Sequence, residues 1–188
     1  AKATDRAARL CVAGVLADVL GRPDRAGRLL AEAVKADRKF YPAYEARHDL
    51  AWQKGELDRA RQILAELKRL AGEDYFGFYL QGKDLLAREE PAKAVEAFEE
   101  VRKRRSGHVP ALLLEARALM SMGRFRDAER RLLAAYALRP ARADVATELF
   151  SLYVAARRLG DAATVAERFA EHNPTHPAGS LMKARHRV

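Results

Sequence analysis

Two histidines near the end of the sequence have a spacing that could serve metal binding. His172 and His176 lie four residues apart, which would place both imidazoles on one face of a continuous helix. Pro174 stands between them, and proline interrupts a helix, so this geometry is lost. Cys11, the single cysteine, is far away in the sequence, and His108 is interpreted as a surface residue. We therefore predict no metal site and no internal disulfide.

Adjacent carboxylates are the next group of residues that could do chemistry, as general acids or bases. Glu89-Glu90 and Glu99-Glu100 are such pairs. Acidic residues at helix ends and on helix faces are common without any catalytic task. No nucleophile has a plausible base, and no glycine motif for phosphate or dinucleotide binding is present. The sequence predicts a chain without catalytic residues and without a cofactor.

The charge of the chain raises nucleic acid as one class of partner. The net charge is +9, and the densest basic segment is Arg102-Lys103-Arg104-Arg105. Cations at the end of a helix are favoured by the helix dipole. Elsewhere basic residues alternate with acidic ones, as in Asp58, Arg59 and Arg61, a pattern typical of a solvated helix face. Nucleic-acid binding is kept as the alternative to protein binding.

A period of 34 residues organises the elements that must position any functional side chain. Alanine recurs in one column, glycine in a second and a bulky residue in a third. The columns hold Ala26, Ala60, Ala94, Ala128 and Ala162; Gly21, Gly55 and Gly123; and Leu30, Leu64, Phe98 and Leu132. Small residues let helices approach closely, and bulky ones fill the space around the contact. A fixed period of this length is the signature of a repeat array.

These columns resemble the tetratricopeptide repeat (TPR), a helix-turn-helix unit of 34 residues. The resemblance implies an all-α fold, a right-handed α-solenoid of antiparallel helix pairs. The chain is then a single solenoid over residues 1–188. Its predicted units are 7–40, 41–74, 75–108, 109–142 and 143–175, followed by a partial or capping helix over 176–188.

Two units depart from the family pattern. The eighth position of a unit is normally small, but it holds His48 in the second unit and Phe150 in the fifth. His48 is interpreted as a packing residue. Gly160 falls three places later than the turn glycines of other units. We therefore predict a longer first helix in the fifth unit and a shorter second helix, at about 161–172.

The resemblance also implies a binding face, because the first helix of each TPR unit lines the concave side of the solenoid. Aromatic residues, methionine and arginine, which are enriched in interface cores, fall at several of these positions. The predicted partner-binding groove consists of Asp49, Trp52, Gln53, Phe76, Tyr79, Lys83, Leu113, Arg117 and Met120. The alternative for Trp52 and Tyr79 is that they simply pack between helices.

Charge is unevenly distributed over the positions that face this groove. Lys83 and Arg117 occupy the same position in adjacent units and could neutralise a carboxylate of a bound peptide. Asp18, Glu45 and Asp49 make the N-terminal end acidic. Such a contrast would orient an extended or helical ligand.

The sequence thus predicts a non-catalytic scaffold that binds a peptide or a partner helix in the groove. The alternatives are a nucleic-acid-binding helical repeat and a regulatory arm of an enzyme or export machine. The absent initiator methionine and the arginine and alanine bias suggest a fragment of a larger bacterial protein. No apolar run approaches the roughly 20 residues that span a membrane, so a cytoplasmic or periplasmic protein is expected.

Self-association through the solenoid ends is a further hypothesis about partners. The ends of a repeat array expose apolar faces unless they are capped. Leu10 and Val12 at one end, or Leu181 and Met182 at the other, could pair between chains.

Overall fold

The computed structural model describes residues 2–179 and Met182. Within these residues the secondary structure is entirely helical, as the repeat pattern predicts. Ten α-helices follow one another: α1 Lys2–Val19, α2 Pro23–Ala36, α3 Pro42–Gln53, α4 Leu57–Ala71, α5 Tyr75–Ala87, α6 Pro91–Arg104, α7 Val109–Ser121, α8 Phe125–Leu138, α9 Ala143–Ala155 and α10 Leu159–His172. The fold is an all-α solenoid of tandem helix pairs.

The helices form two compact bodies, Ala1–Gln81 and Gly82–Val188, whose boundary lies in α5. In the first body, α1 packs on α2 and α3, α2 packs on α3, and α3 packs on α4. In the second body, α6 packs on α7, α7 on α8, α8 on α9, and α9 on α10. These helices therefore contact their neighbours in sequence, as in a repeat array.

The alanine column is fully buried. Ala26, Ala60, Ala94, Ala128 and Ala162 all have an exposed fraction of 0%. A close contact joins the small position in the first helix of a unit to the bulky position in its second helix. A Cβ atom at Gly14 would lie 2.7 Å from Cγ of Leu30, and one at Gly82 would lie 2.5 Å from Cε1 of Phe98. The 34-residue pattern thus indicates which side chains must be small for the helices to pack closely.

The turn inside each helix pair uses a residue in the left-handed conformation. Gly21, Gly55 and Gly123 have φ angles of 70°, 72° and 72°, as their position after the first helix predicts. Glu89 and Arg157 occupy the same column of the other two units and have φ angles of 60° and 59°. Both lack the freedom of glycine, so each turn costs about 1 kcal/mol more than it would with glycine.

The prediction for the helices of the fifth unit is therefore wrong. The first helix ends at Ala155 and the second begins at Leu159, the same register as in the preceding unit. Arg157 makes the turn, and Gly160 lies within α10. Because residue 157 is not a glycine, the prediction placed the turn at Gly160, three residues too late.

The two bulky residues at the eighth position are accommodated differently. His48 has an exposed fraction of 1%, and its Nε2 accepts a hydrogen bond of 3.2 Å from Nε1 of Trp52. Phe150 is also buried, and the position that holds Leu30 and Phe98 in other units holds Ala166 in this one. Large and small residues have exchanged places, which keeps the combined volume similar.

The segment after α10 folds back on that helix. The ring of His176 lies 5.4 Å from the ring of Phe169, centroid to centroid, in an edge-to-face contact. Residues 177–179 and Met182 are helical, and Met182 has an exposed fraction of 4%. These contacts support the proposal of a helix after residue 175, whose remaining residues lie outside the described part of the chain.

His108 is a capping residue, which corrects its interpretation as a surface residue. It precedes α7, and its Nδ1 accepts a hydrogen bond of 3.3 Å from the backbone N–H of Ala111. Burial, then the nearby positive charges of Arg105 and Arg142, lowers the pKa of His108 to about 4. The imidazole is therefore neutral at physiological pH, as an acceptor in a cap must be.

Acid is expected to destabilise the fold through His108. The pKa in the folded chain, about 4, lies below the ordinary value of 6.5, so the unfolded chain binds the proton more readily. Stability from this group is complete above pH 6.5 and is lost as the pH falls towards 4. Urea midpoints measured over this range should fall, and His108→Asn, which keeps a capping side chain, should flatten this part of the dependence. An unchanged slope in the variant would contradict the assignment.

Candidate functional site

The residues predicted for the groove divide between the two bodies. Asp49, Trp52, Gln53, Phe76 and Tyr79 belong to the first body, and Lys83, Leu113, Arg117 and Met120 belong to the second. Their accessibility differs. Phe76, Tyr79 and Leu113 are buried, Asp49, Trp52, Lys83 and Met120 are half-buried, and Gln53 and Arg117 are exposed.

Aromatic packing accounts for the buried members in the first body. The ring of Phe76 lies 5.8 Å from that of Tyr41 and 5.5 Å from that of Tyr79. The hydroxyl of Tyr79 donates a hydrogen bond of 3.0 Å to Oε1 of Glu45. These two rings pack between helices, which is the alternative that the sequence left open for Tyr79.

A hollow of about 420 Å³ lies between α1 and α3 in the first body. We call it the acidic hollow. Four residues that the sequence predicts to face the groove line it, together with Cys11 and Val15: Asp18, Glu45, Asp49 and Gln53. The structure therefore brings together residues that are about 34 apart in sequence, as the repeat predicts.

The acidic hollow combines an apolar wall with carboxylates. Its apolar lining also includes Val19, Leu30, Pro42, Ala46 and Leu50. The described residues that line it include three carboxylates but no lysine or arginine. Burial, then the negative charge of Glu45, raises the pKa of the Cys11 thiol. This hollow is suited to a cationic group that carries an aliphatic stem.

A second hollow, of about 380 Å³, lies in the second body between α7, α8 and α9. We call it the apolar hollow. Met120, Phe125, Leu152, Ala155 and Ala156 form its apolar lining. The exposed fraction of Phe125 is 60%, an unusual value for an aromatic side chain in a folded chain. Exposed apolar surface in a concave place is typical of a binding site.

Ion pairs hold three of the four charged residues that line the apolar hollow: Glu129, Glu148 and Arg158. Nη2 of Arg117 lies 2.7 Å from Oε1 of Glu148, and Nη1 of Arg158 lies 2.7 Å from Oε1 of Glu129. The guanidinium of Arg158 also stacks 4.5 Å from the ring centre of Tyr153. Because these charges are paired within the chain, the hollow offers an apolar interior inside a polar rim.

The family pattern does not predict several of the residues that line the apolar hollow. That pattern selects first-helix positions only, and Met120, one of these positions, lines the hollow. Phe125 begins the second helix of its unit, and Leu152 falls between the selected positions of α9. Ala155 lies in the column of Gln53, a predicted groove residue. The signal that could have found Phe125 is an aromatic residue in a column that holds proline or leucine in the other units: Pro23, Leu57, Pro91 and Leu159.

The basic segment over 102–105 is engaged within the chain. Nε of Arg102 lies 3.3 Å from Oε2 of Glu115, a carboxylate with a side-chain exposure of 1%. Lys103 and Arg104 both pair with Glu100. These pairs reduce the charge that the segment could offer to phosphates.

Among residues 2–179 and Met182, no three His, Cys, Asp or Glu side chains are arranged to hold a metal ion. None of the helices in the described part of the chain combines the length and the apolar character that crossing a bilayer requires.

Comparison with known families gives two matches. Two tetratricopeptide repeat models match the chain, one over residues 85–135 and one over residues 113–177. No curated protein matches the sequence.

Several solved structures share the fold. A thermophilic TPR protein of Thermus thermophilus, TTC0263, has a TM-score of 0.75 at 18% identity, and the match covers 96% of this chain and 98% of that one. YrrB, described as a TPR protein with an unusual peptide-binding site, has a TM-score of 0.60 at 18% identity, covering 93% and 90% of the two chains. PilW, a type IV pilus biogenesis factor, has a TM-score of 0.69 at 17% identity, covering 95% and 91%. At these identities the likeness concerns the fold.

Proposed function

Because the chain belongs to the tetratricopeptide repeat family, whose fold is in general a non-catalytic scaffold for protein interactions, we propose that it binds a peptide or partner helix through the first helices of its units. The residues proposed to face the partner are the predicted groove residues that are not buried: Asp49, Trp52 and Gln53 in the first body, and Lys83, Arg117 and Met120 in the second. Met120 is the central one in the second body, because it lines the apolar hollow. That YrrB is described as having a peptide-binding site supports a ligand of this class.

The apolar hollow is the observation that carries this proposal. Its volume of about 380 Å³ exceeds that of any single side chain, so one large aliphatic or aromatic side chain of a partner can enter it. Burial of such a side chain contributes about 1.5–3 kcal/mol. The paired charges around the hollow need no rearrangement when it is filled. One anchoring side chain in a preformed hollow is a common way for a peptide to gain affinity.

Filling the hollow is expected to abolish most of the binding. Ala155 is an exposed residue of the lining, so Ala155→Trp occupies the hollow without disturbing the core. Peptides selected from a random displayed library against the native chain should share a large apolar residue. Their affinity for the variant, measured by fluorescence anisotropy, should be about 10–100-fold weaker, the equivalent of one lost apolar anchor.

A matched control keeps this test specific. Ala134 is an exposed alanine of α8 outside the hollow, so Ala134→Trp adds the same side chain elsewhere. It should leave the affinity unchanged. The proposal fails if no peptide is selected, or if Ala155→Trp binds the selected peptides as well as the native chain does.

We also propose that α1 supports self-association with a second copy of the chain. Val12 and Leu16 on α1 and Leu20 directly after it are 68%, 56% and 61% exposed and follow one another at helical spacing. A single helix face can pair with its own copy about a two-fold axis. None of the three lines the acidic hollow. At the other end, Met182 is buried within its own chain and Leu181 lies outside the described residues.

This self-association has a direct test in sedimentation velocity. The native chain should dimerise as its concentration rises, and Val12→Glu/Leu16→Glu should remain monomeric because two buried carboxylates would oppose the contact. A native chain that is monomeric at every concentration would contradict the proposal.

A further inference from the structure

We propose that the acidic hollow binds a lysine or arginine side chain of a protein partner, with an aliphatic residue of the partner beside it. This inference rests on the proposed function, since it names the chemistry of a partner segment. It concerns the first body alone, whereas the apolar hollow belongs to the second.

The charge of the hollow is opposite to that of the chain. The net charge is +9, with 35 lysine and arginine residues against 26 acidic ones. Yet the described lining of the acidic hollow includes Asp18, Glu45 and Asp49 and no lysine or arginine. A basic segment is repelled by the chain as a whole and attracted at this hollow. Such a contrast favours specific binding at this hollow over nonspecific binding elsewhere on the chain.

The wall of the hollow favours a side chain over a small ion. Val15 and Val19 line it and remain 46% and 77% exposed, although large aliphatic side chains lose free energy by facing water. The long stems of lysine and arginine can cover such surface while their charged ends reach carboxylates. A bare metal ion would leave the valines exposed.

The spacing of the carboxylates points the same way. Within residues 2–179 and Met182, no three acidic, histidine or cysteine side chains converge as a metal site requires. Glu45 already accepts a hydrogen bond of 3.0 Å from the hydroxyl of Tyr79, and Oδ1 of Asp49 lies 3.7 Å from Nδ1 of His48. Three carboxylates around a hollow of about 420 Å³ still suit an elongated cation, because a carboxylate accepts more than one hydrogen bond. Guanidinium and ammonium groups donate several hydrogen bonds in different directions, so they can contact more than one of these carboxylates.

The test uses two labelled synthetic peptides, one in which lysine and leucine alternate and one in which glutamate and leucine alternate. The native chain should bind the lysine peptide and not the glutamate peptide, and the affinity should fall with added salt. Asp18→Asn/Asp49→Asn should weaken binding of the lysine peptide about tenfold, a loss typical of two partly exposed ion pairs. Asp5→Asn/Asp58→Asn removes the same charge from residues outside the lining and should leave the affinity nearly unchanged.

The outcomes separate this inference from the proposed function. If both double variants weaken the lysine peptide equally, or if neither does, the acidic hollow is not its site and the inference is overturned. Loss of the lysine peptide in Ala155→Trp, with the Asp18→Asn/Asp49→Asn chain unaffected, would assign that peptide to the apolar hollow. The proposed function would then stand while the inference fell. Preferential binding of the glutamate peptide would also overturn it.

Discussion

Replacing Arg102 and Arg131 together with methionine is expected to lower the free energy of unfolding by about 3–5 kcal/mol. Oε1 and Oε2 of Glu115 lie 2.8 Å from Nε of Arg131 and 3.3 Å from Nε of Arg102. The carboxylate has a side-chain exposure of only 1%. Without its two partners it would be a buried charge with no compensation. Urea unfolding followed by circular dichroism measures the loss.

A third substitution distinguishes this mechanism from a simple loss of packing. Adding Glu115→Leu to the double variant removes the stranded charge and fills the same space with apolar atoms. Most of the lost stability should return, because replacing a whole buried ionic group is often neutral or stabilising. A triple variant as unstable as the double one would show that the arginines act through their packed stems. The network would then have little electrostatic role.

Alanine at Gly82 is expected to destabilise the chain by about 1–3 kcal/mol, although alanine usually stabilises a helix. The new Cβ would lie 2.5 Å from Cε1 of Phe98, whose exposed fraction is 0% and whose ring therefore has no open space to enter. At Gly160 in α10, a Cβ atom meets nothing within 4 Å. Gly160→Ala should therefore be neutral or gain up to about 1 kcal/mol.

A second substitution, taken from another unit of the repeat, is expected to restore the stability that Gly82→Ala loses. In the fourth unit the same two columns hold Ala116 and Leu132, both buried. Gly82→Ala/Phe98→Leu recreates this pair, so the two losses should be less than additive in a double-mutant cycle. Additive losses would mean that Gly82 is small for a reason other than contact with Phe98.

The architecture was readable from the sequence because the helix contacts repeat. The alanine column is buried in every unit, and each glycine of the turn column has a positive φ angle. The error at the fifth unit has a physical cause. Arg157 adopts a backbone conformation that its side chain disfavours, and the packing of α9 and α10 on their neighbours outweighs that local preference. A backbone preference of about 1 kcal/mol is smaller than the free energy of packing at a helix interface, so the preference alone does not predict where the turn lies.

The accessible residues of the binding face were harder to predict from the sequence. The 34-residue period predicts the direction in which a side chain points, but not which neighbouring side chains cover it. Met120 lines a hollow, whereas Phe76 and Tyr79 lie in an aromatic cluster that the repeat pattern does not predict. Arg117 falls at the predicted position but pairs with Glu148, and the spacing of the repeat holds no information about that contact. The paired charges and the open volume are properties of the assembled helices.

The most direct test of the proposed peptide site uses the methionine methyl groups as reporters. The chain has three methionines, of which Met120 lines the apolar hollow and Met182 is buried elsewhere. With methyl-labelled methionine, a peptide selected on the native chain is titrated while the methyl signals are followed by NMR. The account predicts that the Met120 signal shifts and saturates with the affinity measured by anisotropy, and that the Met182 signal stays in place. A peptide that binds fully while the Met120 signal does not move would contradict it.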